Sequence, residues 1–323
     1  MSRARLSILS AAVFIAACDG SADQFSGTDP NAGSFDITTQ NGLQATKVAW
    51  EAALASGELT DLGGGFGLSA AAPGGVSKAT LSQPTGLVAS VMQQVPFGPI
   101  VVDCIPPGTI TISGDIADPL MQTLAANDTF SIQYAMCDQG TGEVIDGLVD
   151  FTVGDFTGSL QTGAYMLSMA AIVTNLQLMT DNGTSTSSGD ATVTLDTMDA
   201  PFVYAGSSGT SMTTDTNASS ETIMNYQSAQ TVDGNEQNLP YTLFAVGLLD
   251  STQLAGIVRY STPVELSGEG TAYPSAGVLL VEGSNSSARL TAVDNVNVTI
   301  ELDLNGNGET DQTINTTWAD LTS

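Results

Sequence analysis

Cys18 is the first residue of this sequence whose type and position indicate a specific chemistry, that of its thiol. It follows a short start, Met1–Arg5, that contains two arginines, and an apolar run from Leu6 to Ala17. A basic start, a short apolar run and small residues at its end are the three parts of an export signal. The run is too short for a transmembrane helix, which needs about 20 apolar residues. Residues 1–17 are therefore predicted to be a signal peptide that is removed.

The motif Ile15-Ala16-Ala17-Cys18 resembles the lipobox of bacterial lipoproteins, in which an aliphatic residue and two small residues precede a cysteine. The resemblance implies that the chain is cut before Cys18 and that Cys18 is the lipidation site. Acyl chains contribute about 0.8 kcal/mol per buried methylene, so several of them anchor a protein stably. The alternative is an ordinary secretory signal with an incidental cysteine.

The lipobox places the protein in the cell envelope of a Gram-negative-type bacterium, with the membrane as a partner through the N-terminal lipid. Asp19 resembles the inner-membrane retention mark of enterobacteria. Other bacteria break that rule, so the choice between inner and outer membrane stays open.

The two remaining cysteines, Cys104 and Cys137, meet an oxidising compartment after export, and we predict one disulfide between them. Closing a loop of this length with a disulfide contributes about 4 kcal/mol to the stability of the folded state in the chain-entropy model. A redox-active pair would have its thiols close in sequence and beside a positive charge, so this disulfide is predicted to be structural.

The motif with ligand chemistry is the loop from Asp303 to Asp311, DLNGNGETD, which has side-chain oxygens at its first, third, fifth and ninth positions. It resembles the calcium loops of EF-hand proteins, which also have glycine at the sixth position. The resemblance implies calcium ligands at Asp303, Asn305, Asn307 and Asp311. The loop departs from the EF-hand pattern at the twelfth position, where it has Ile314 and EF-hands have a bidentate glutamate. The alternative interpretation is an ordinary Asn-Gly hairpin turn. Calcium is the one cofactor considered; otherwise none is expected.

Composition excludes several classes of function. The chain has no histidine, which removes Ser-His-Asp and Cys-His catalysis and histidine zinc sites, so we expect no enzyme. Without residues 1–17, four basic residues face 34 acidic ones, a net charge of −30. Such a chain cannot neutralise phosphates, so nucleic acid is excluded as a partner. Apolar residues make up 42% of the chain, enough for a real core.

The segment before residue 101 is predicted to contain little regular structure. Residues 18–39 are rich in Ser, Gly, Asp and Asn and are predicted to be a flexible tether. Residues 40–100 are predicted to be a helical and irregular segment. One helix is predicted over 43–55, with Asn41-Gly42 as its start signal and Gly57 as its stop signal. A second short helix is predicted over 87–94, after glycine clusters that favour a linker.

Residues 101–323 are predicted to be β-rich. Apolar and polar residues alternate over 109–112, 130–136, 149–153, 191–195 and 296–302, with turn residues between the runs. Many half-buried strands without intervening helices indicate an antiparallel meander, because parallel strands need crossover helices. The fold class is therefore mainly β: a meander forming a strongly curved sheet, either an open barrel or a sandwich, with one or two short N-terminal helices.

The cysteines suggest a strand register. If Cys104 and Cys137 lay directly opposite each other in a hairpin, apolar residues of one strand would pair with polar residues of the other. Pairing Ile110 with Ile132 and Ile112 with Phe130 restores an apolar face, with a bulge or kink at Pro106-Pro107-Gly108.

Two further resemblances concern the body. Helices beside a curved sheet are similar in architecture to the half-barrel of lipoprotein carriers, which implies a concave side for lipid. The acidic turn, residues 313–321 and the cysteine-bounded hairpin resemble uncharacterised predicted lipoproteins of proteobacteria, which implies no activity.

Three functions follow, in order of preference. The first is a membrane-anchored envelope lipoprotein with a non-enzymatic binding or scaffolding role, which holds a lipid or another apolar ligand; its protein partners are unknown. The second is a calcium-stabilised surface adhesive or structural module. The third is a hydrolase that uses two carboxylates, as glycosidases do without histidine.

Overall fold

A computed structural model describes the body of the protein, and nearly all of it is one antiparallel sheet. The described residues are 35–58, 99–104, 107–117, 124–138, 143–160, 162–181, 183–199, 202–233 and 239–322. The predicted signal peptide, most of the predicted tether, the glycine clusters and the second predicted helix lie outside them.

Within these described ranges the sheet has fourteen strands, and each strand from β1 to β13 is hydrogen-bonded to the strand that follows it in sequence. The predicted antiparallel meander is confirmed. The strands are β1 Ile100–Asp103, β2 Thr109–Asp115, β3 Thr129–Asp138, β4 Val144–Ser159, β5 Ala164–Thr180, β6 Gly183–Asp196, β7 Phe202–Thr216, β8 Ser220–Asp233, β9 Pro240–Ser251, β10 Gly256–Glu269, β11 Ala276–Glu282, β12 Ser287–Ala292, β13 Asn297–Asp303 and β14 Gln312–Thr317.

Of the two predicted arrangements, the structure has a single open sheet. Among the described residues the sheet is continuous from β1 to β14, and it does not split into the two layers of a sandwich. The pairings β3–β4, β4–β5, β5–β6, β6–β7, β8–β9, β9–β10 and β10–β11 contain register shifts. Such bulges bend a strand and increase its twist, so the long middle strands curl.

Two helices accompany the sheet in the described part of the chain. Helix α1, Gly42–Glu58, agrees with the predicted 43–55, and α2, Trp318–Thr322, follows β14 directly. Strand β14 ends at Thr317, because Trp318 begins α2. The described residues contain no helix that is both long enough and apolar enough to span a membrane.

The core lies on one face of the sheet, which we call the inner face. Helix α1 packs on the inner face of β7–β13 and against α2. Trp50 of α1 and Trp318 of α2 are fully buried, with ring centroids 4.7 Å apart. Alternate residues of each strand enter a single apolar cluster that reaches from β2 to α2. The opposite, outer face is exposed or half-buried along most strands, as expected for an antiparallel sheet with one solvated side.

The meander gives the sheet two ends. The turns β1–β2, β3–β4, β5–β6, β7–β8, β9–β10, β11–β12 and β13–β14 lie at one end, which we call the entry end. The alternate turns, from β2–β3 to β12–β13, lie at the far end together with α2.

The predicted register of the cysteine hairpin is wrong by two residues. Ile110 pairs with Tyr134 and Ile112 with Ile132, so the apolar face is the predicted one but the partners differ. The reason is that Cys104 lies beyond the end of β2, in the β1–β2 connection, and does not oppose Cys137 within one ladder. The observed irregularity of β3 lies in its pairing with β4, between Tyr134 and Cys137, where Met136 has a φ of +50°.

Candidate functional site

The predicted lipidation site, Cys18, lies outside the described residues, but the point where the chain enters the body is defined. The backbone N–H of Ser284 donates to the carbonyl of Phe35 at 2.9 Å. The backbone N–H of Ile37 donates to the hydroxyl of Ser286 at 2.7 Å. Both partners belong to the β11–β12 turn, so the chain arrives from its N-terminal segment at the entry end.

The predicted disulfide between Cys104 and Cys137 is present, with the two Cα atoms 5.3 Å apart. Cys137 lies in β3 and is fully buried. The backbone N–H of Cys104 donates to the carbonyl of Gly108 at 3.0 Å. A Cβ added to Gly108 would lie 2.8 Å from the Cα of Cys137, so glycine allows this close approach. The disulfide thus ties the β1–β2 connection to the end of β3.

The predicted calcium loop is the β13–β14 turn at the entry end. Its first carboxylate, Asp303, accepts hydrogen bonds from four backbone N–H groups of the turn. The shortest come from Gly306 at 2.8 Å and Gly308 at 2.7 Å. These bonds, led by the one from Gly308, hold the pKa of the Asp303 carboxyl below its usual value. Gly306 and Gly308 have φ values of +70° and +81°, which explains why glycine occupies both positions.

The other predicted calcium ligands are brought onto the same turn, where they also make hydrogen bonds. One oxygen of Asp311 accepts from the backbone N–H of Leu304 at 2.8 Å and from the side-chain amide of Asn305 at 3.0 Å. The side-chain oxygen of Asn307 accepts from the backbone N–H of Glu309 at 2.8 Å. The four side chains therefore stabilise a hairpin turn by themselves, and calcium binding here stays a prediction.

Carboxylates elsewhere in the described residues also accept hydrogen bonds from the backbone. Asp128, the only charged residue buried within that part, accepts from the backbone N–H groups of Ala117 and Ala125 at 2.9 and 2.8 Å. Asp190 accepts from the backbone N–H groups of Thr210 and Ser211. The described part contains neither a buried pair of carboxylates nor a cluster of three metal-ligating acids or thiols.

A buried polar patch under the end of α1 is the feature that sequence reasoning missed. The hydroxyl of Ser207 on β7 donates to the carbonyl of Ser56 at 2.5 Å. Ser228 on β8 and Tyr260 on β10 are buried nearby, and Ser228 lies opposite Ser207 in the ladder. Serines at inner-face positions interrupt the apolar alternation, which was the available signal. The patch fixes the end of α1 against the sheet.

Comparison with known proteins adds no assignment to this geometry. No family model matches the chain, and no curated protein or solved structure matches it either.

Proposed function

We propose that this chain is a membrane-anchored envelope lipoprotein with a non-enzymatic binding or scaffolding role. The observation that carries the proposal is the one-sidedness of the sheet. Its inner face holds a single apolar core, with α1 packed on β7–β13, and its outer face is largely open to solvent. A broad, rigid outer face on a lipid tether is suited to holding other envelope components in place.

The outer face supports a scaffolding role by its chemistry. Short hydroxyl side chains face each other across neighbouring strands: Thr213 and Thr222 are 2.9 Å apart, and Thr231 and Thr242 are 2.7 Å apart, oxygen to oxygen. Such cross-strand pairs stabilise a sheet and keep its surface regular. The carboxylates described above shape turns, which is a structural use of the acidic residues.

The ligand form of the proposal is confined to one half of the inner face. Helix α1 occupies the inner face of β7–β13, so an apolar ligand would have to insert among the side chains of β2–β6, which are already buried. There the rings of Phe130 and Phe151 stack with centroids 4.7 Å apart. Native mass spectrometry of the full chain carrying Cys18→Ser should detect a lipid that co-purifies with the protein. A protein that is free of ligand after gentle purification leaves the scaffolding form alone.

The anchor is tested by labelling living cells with an alkyne fatty acid. The natural chain should be labelled and recovered with membranes, whereas Cys18→Ser should lose both the label and the membrane association. The double variant Cys104→Ser/Cys137→Ser is the matched control, because it removes two thiols and should keep the label. An unlabelled natural chain, or one that retains residues 1–17, would overturn the proposal.

A further inference from the structure

The far end of the sheet displays five large exposed apolar side chains, which we call the apolar rim. Its members are Met198, Phe202, Leu239, Val293 and Val296, each 44 to 57% exposed. They lie at the β6–β7, β8–β9 and β12–β13 turns. Near the entry end, two described apolar side chains are comparably exposed, Val101 and Met136, and each lies within a strand, β1 and β3. Single exposed apolar residues are normal on a protein surface, but their collection at one end indicates a binding surface.

Hydrogen bonds join neighbouring turns of the far end through their described residues. The backbone N–H of Gly270 donates to the carbonyl of Leu239 at 3.1 Å, which joins the β8–β9 and β10–β11 turns. The indole N–H of Trp318 donates to the carbonyls of Pro274 and Asp294 at 3.0 and 3.2 Å, which joins β10–β11 to β12–β13. Backbone positions fixed in this way lose little entropy on binding, so Leu239 and Val296 lie on a preorganised part of the rim.

Negative charge surrounds the apolar rim. Asp199, Glu269, Asp294 and Asp320 are exposed at the same end, and no lysine or arginine lies on its described turns. Hydrogen bonds from Asn297 hold the pKa of the Asp294 carboxyl below its usual value, so this charge persists into acid. Anionic lipid would be repelled, whereas a surface with lysine or arginine would be attracted.

We propose that the apolar rim binds a protein partner whose surface combines aliphatic side chains with lysine or arginine. The direction of the rim rests on the proposed lipid anchor. The chain enters the body at Phe35, at the β11–β12 turn of the entry end, and β12, which has six residues, leads from that turn to Val293 of the rim. At about 3.3 Å per residue this part of the rim lies roughly 20 Å from the entry point, at the end of the sheet opposite the proposed anchor.

The test measures binding of two short fluorescent peptides, one built from leucine and lysine and one from serine and lysine, to the full chain carrying Cys18→Ser. We expect the leucine peptide to bind at least about tenfold more tightly. The variant Phe202→Ser/Val293→Ser/Val296→Ser should abolish this preference without a change of charge. The matched control is Ile172→Ser/Val264→Ser, which removes apolar side chains that are 51 and 53% exposed elsewhere on the sheet and should keep the preference.

Several outcomes overturn the proposal: no preference in the unsubstituted protein, a preference that survives in the triple variant, or one that the control variant also loses. Rim-dependent binding to phosphatidylcholine vesicles would assign the surface to lipid, and rim-dependent dimers in sedimentation would assign it to a second copy. All proteins in the peptide test carry Cys18→Ser, so peptide binding is measured without the lipid. Failure of fatty-acid labelling would contradict the anchor, and failure of peptide binding would contradict the apolar rim as a binding surface.

Discussion

At the residue scale, the most regular feature of the molecule is the pairing of tyrosine with glycine. Five buried tyrosines each lie directly opposite a glycine on the neighbouring strand. The pairs are Tyr134 with Gly147, Tyr165 with Gly158, Tyr226 with Gly209, Tyr241 with Gly268 and Tyr260 with Gly247. Glycine weakens a strand because it has no side chain to pack. An aromatic ring across the ladder restores that packing.

Replacing the glycine of such a pair should therefore destabilise the protein. A Cβ at Gly247 would lie 2.7 Å from the hydroxyl oxygen and 2.9 Å from Cζ of Tyr260. We expect Gly247→Ala to lower the free energy of unfolding by about 1 to 3 kcal/mol, as overpacking does in cores. Denaturant unfolding measures the change. Gly154→Ala is the control, since its nearest new neighbour is 3.4 Å away; equal losses in the two variants would contradict this explanation.

The β13–β14 turn allows a test of ion dependence. Because four backbone N–H groups already bind the Asp303 carboxylate, we expect the same melting temperature in excess calcium and in chelator. Asp303→Ala should lower the melting temperature by a few degrees in both conditions. Asp250→Ala, which removes an exposed carboxylate from β9, should change it less. A higher melting temperature in calcium that Asp303→Ala abolishes would instead support the calcium-stabilised module.

At the element scale, the disulfide secures the short first strand. β1 has four residues and is paired in the described sheet with β2, whereas β4 to β10 have 12 to 17 residues each. A short strand at a sheet edge has little hydrogen bonding of its own, so a covalent tie to β3 compensates for it.

Removing the disulfide should therefore destabilise the protein without changing its fold. For a sequence separation of 33 residues, the chain-entropy model gives about 4 kcal/mol. We expect Cys104→Ser/Cys137→Ser to melt about 5 to 10 °C lower, with an unchanged far-ultraviolet circular dichroism spectrum. Reducing agent should lower the melting temperature of the natural chain to the same value and leave the variant unaffected. Equal melting temperatures with and without the disulfide would show that β1 needs no covalent tie.

At the scale of the whole molecule, the buried tyrosines link stability to alkaline pH. Burial raises the pKa of Tyr165 to about 12 and raises the pKa of Tyr134, Tyr226, Tyr241 and Tyr260 further. The negative charge of Asp190 adds to the rise in pKa at Tyr226. In the unfolded chain a tyrosine ionises near pH 10. The stability linked to these raised pKa values is therefore complete below pH 10 and is lost as the pH rises towards the folded values.

We expect these five tyrosines to ionise together, at the pH where the sheet unfolds. Ultraviolet absorbance of tyrosinate and circular dichroism should then change in one transition well above pH 10, whereas in guanidinium all seven tyrosines should titrate near pH 10. Ionisation of the five tyrosines near pH 10 in the folded protein would mean that the inner face is open to water.

Local patterns were enough to predict several features correctly. Alternation of apolar and polar residues predicted the strands around Ile110, Phe130 and Val149, because a half-buried strand has a period of two. Helical spacing around Trp50 predicted α1 within a few residues. The disulfide followed from the even number of cysteines left after Cys18 and the compartment that the lipobox implies.

The tertiary structure decided what depends on contacts between distant segments. A period of two allows every register that differs by two residues, so the pattern could not distinguish Ile132 from Tyr134 as the partner of Ile110. Tyrosine–glycine pairs, the buried serines under α1 and the collection of Met198, Phe202 and Val296 at one end arise from residues far apart in sequence. Only the order and direction of all fourteen strands bring them together, because strand pairing is a property of the complete sheet.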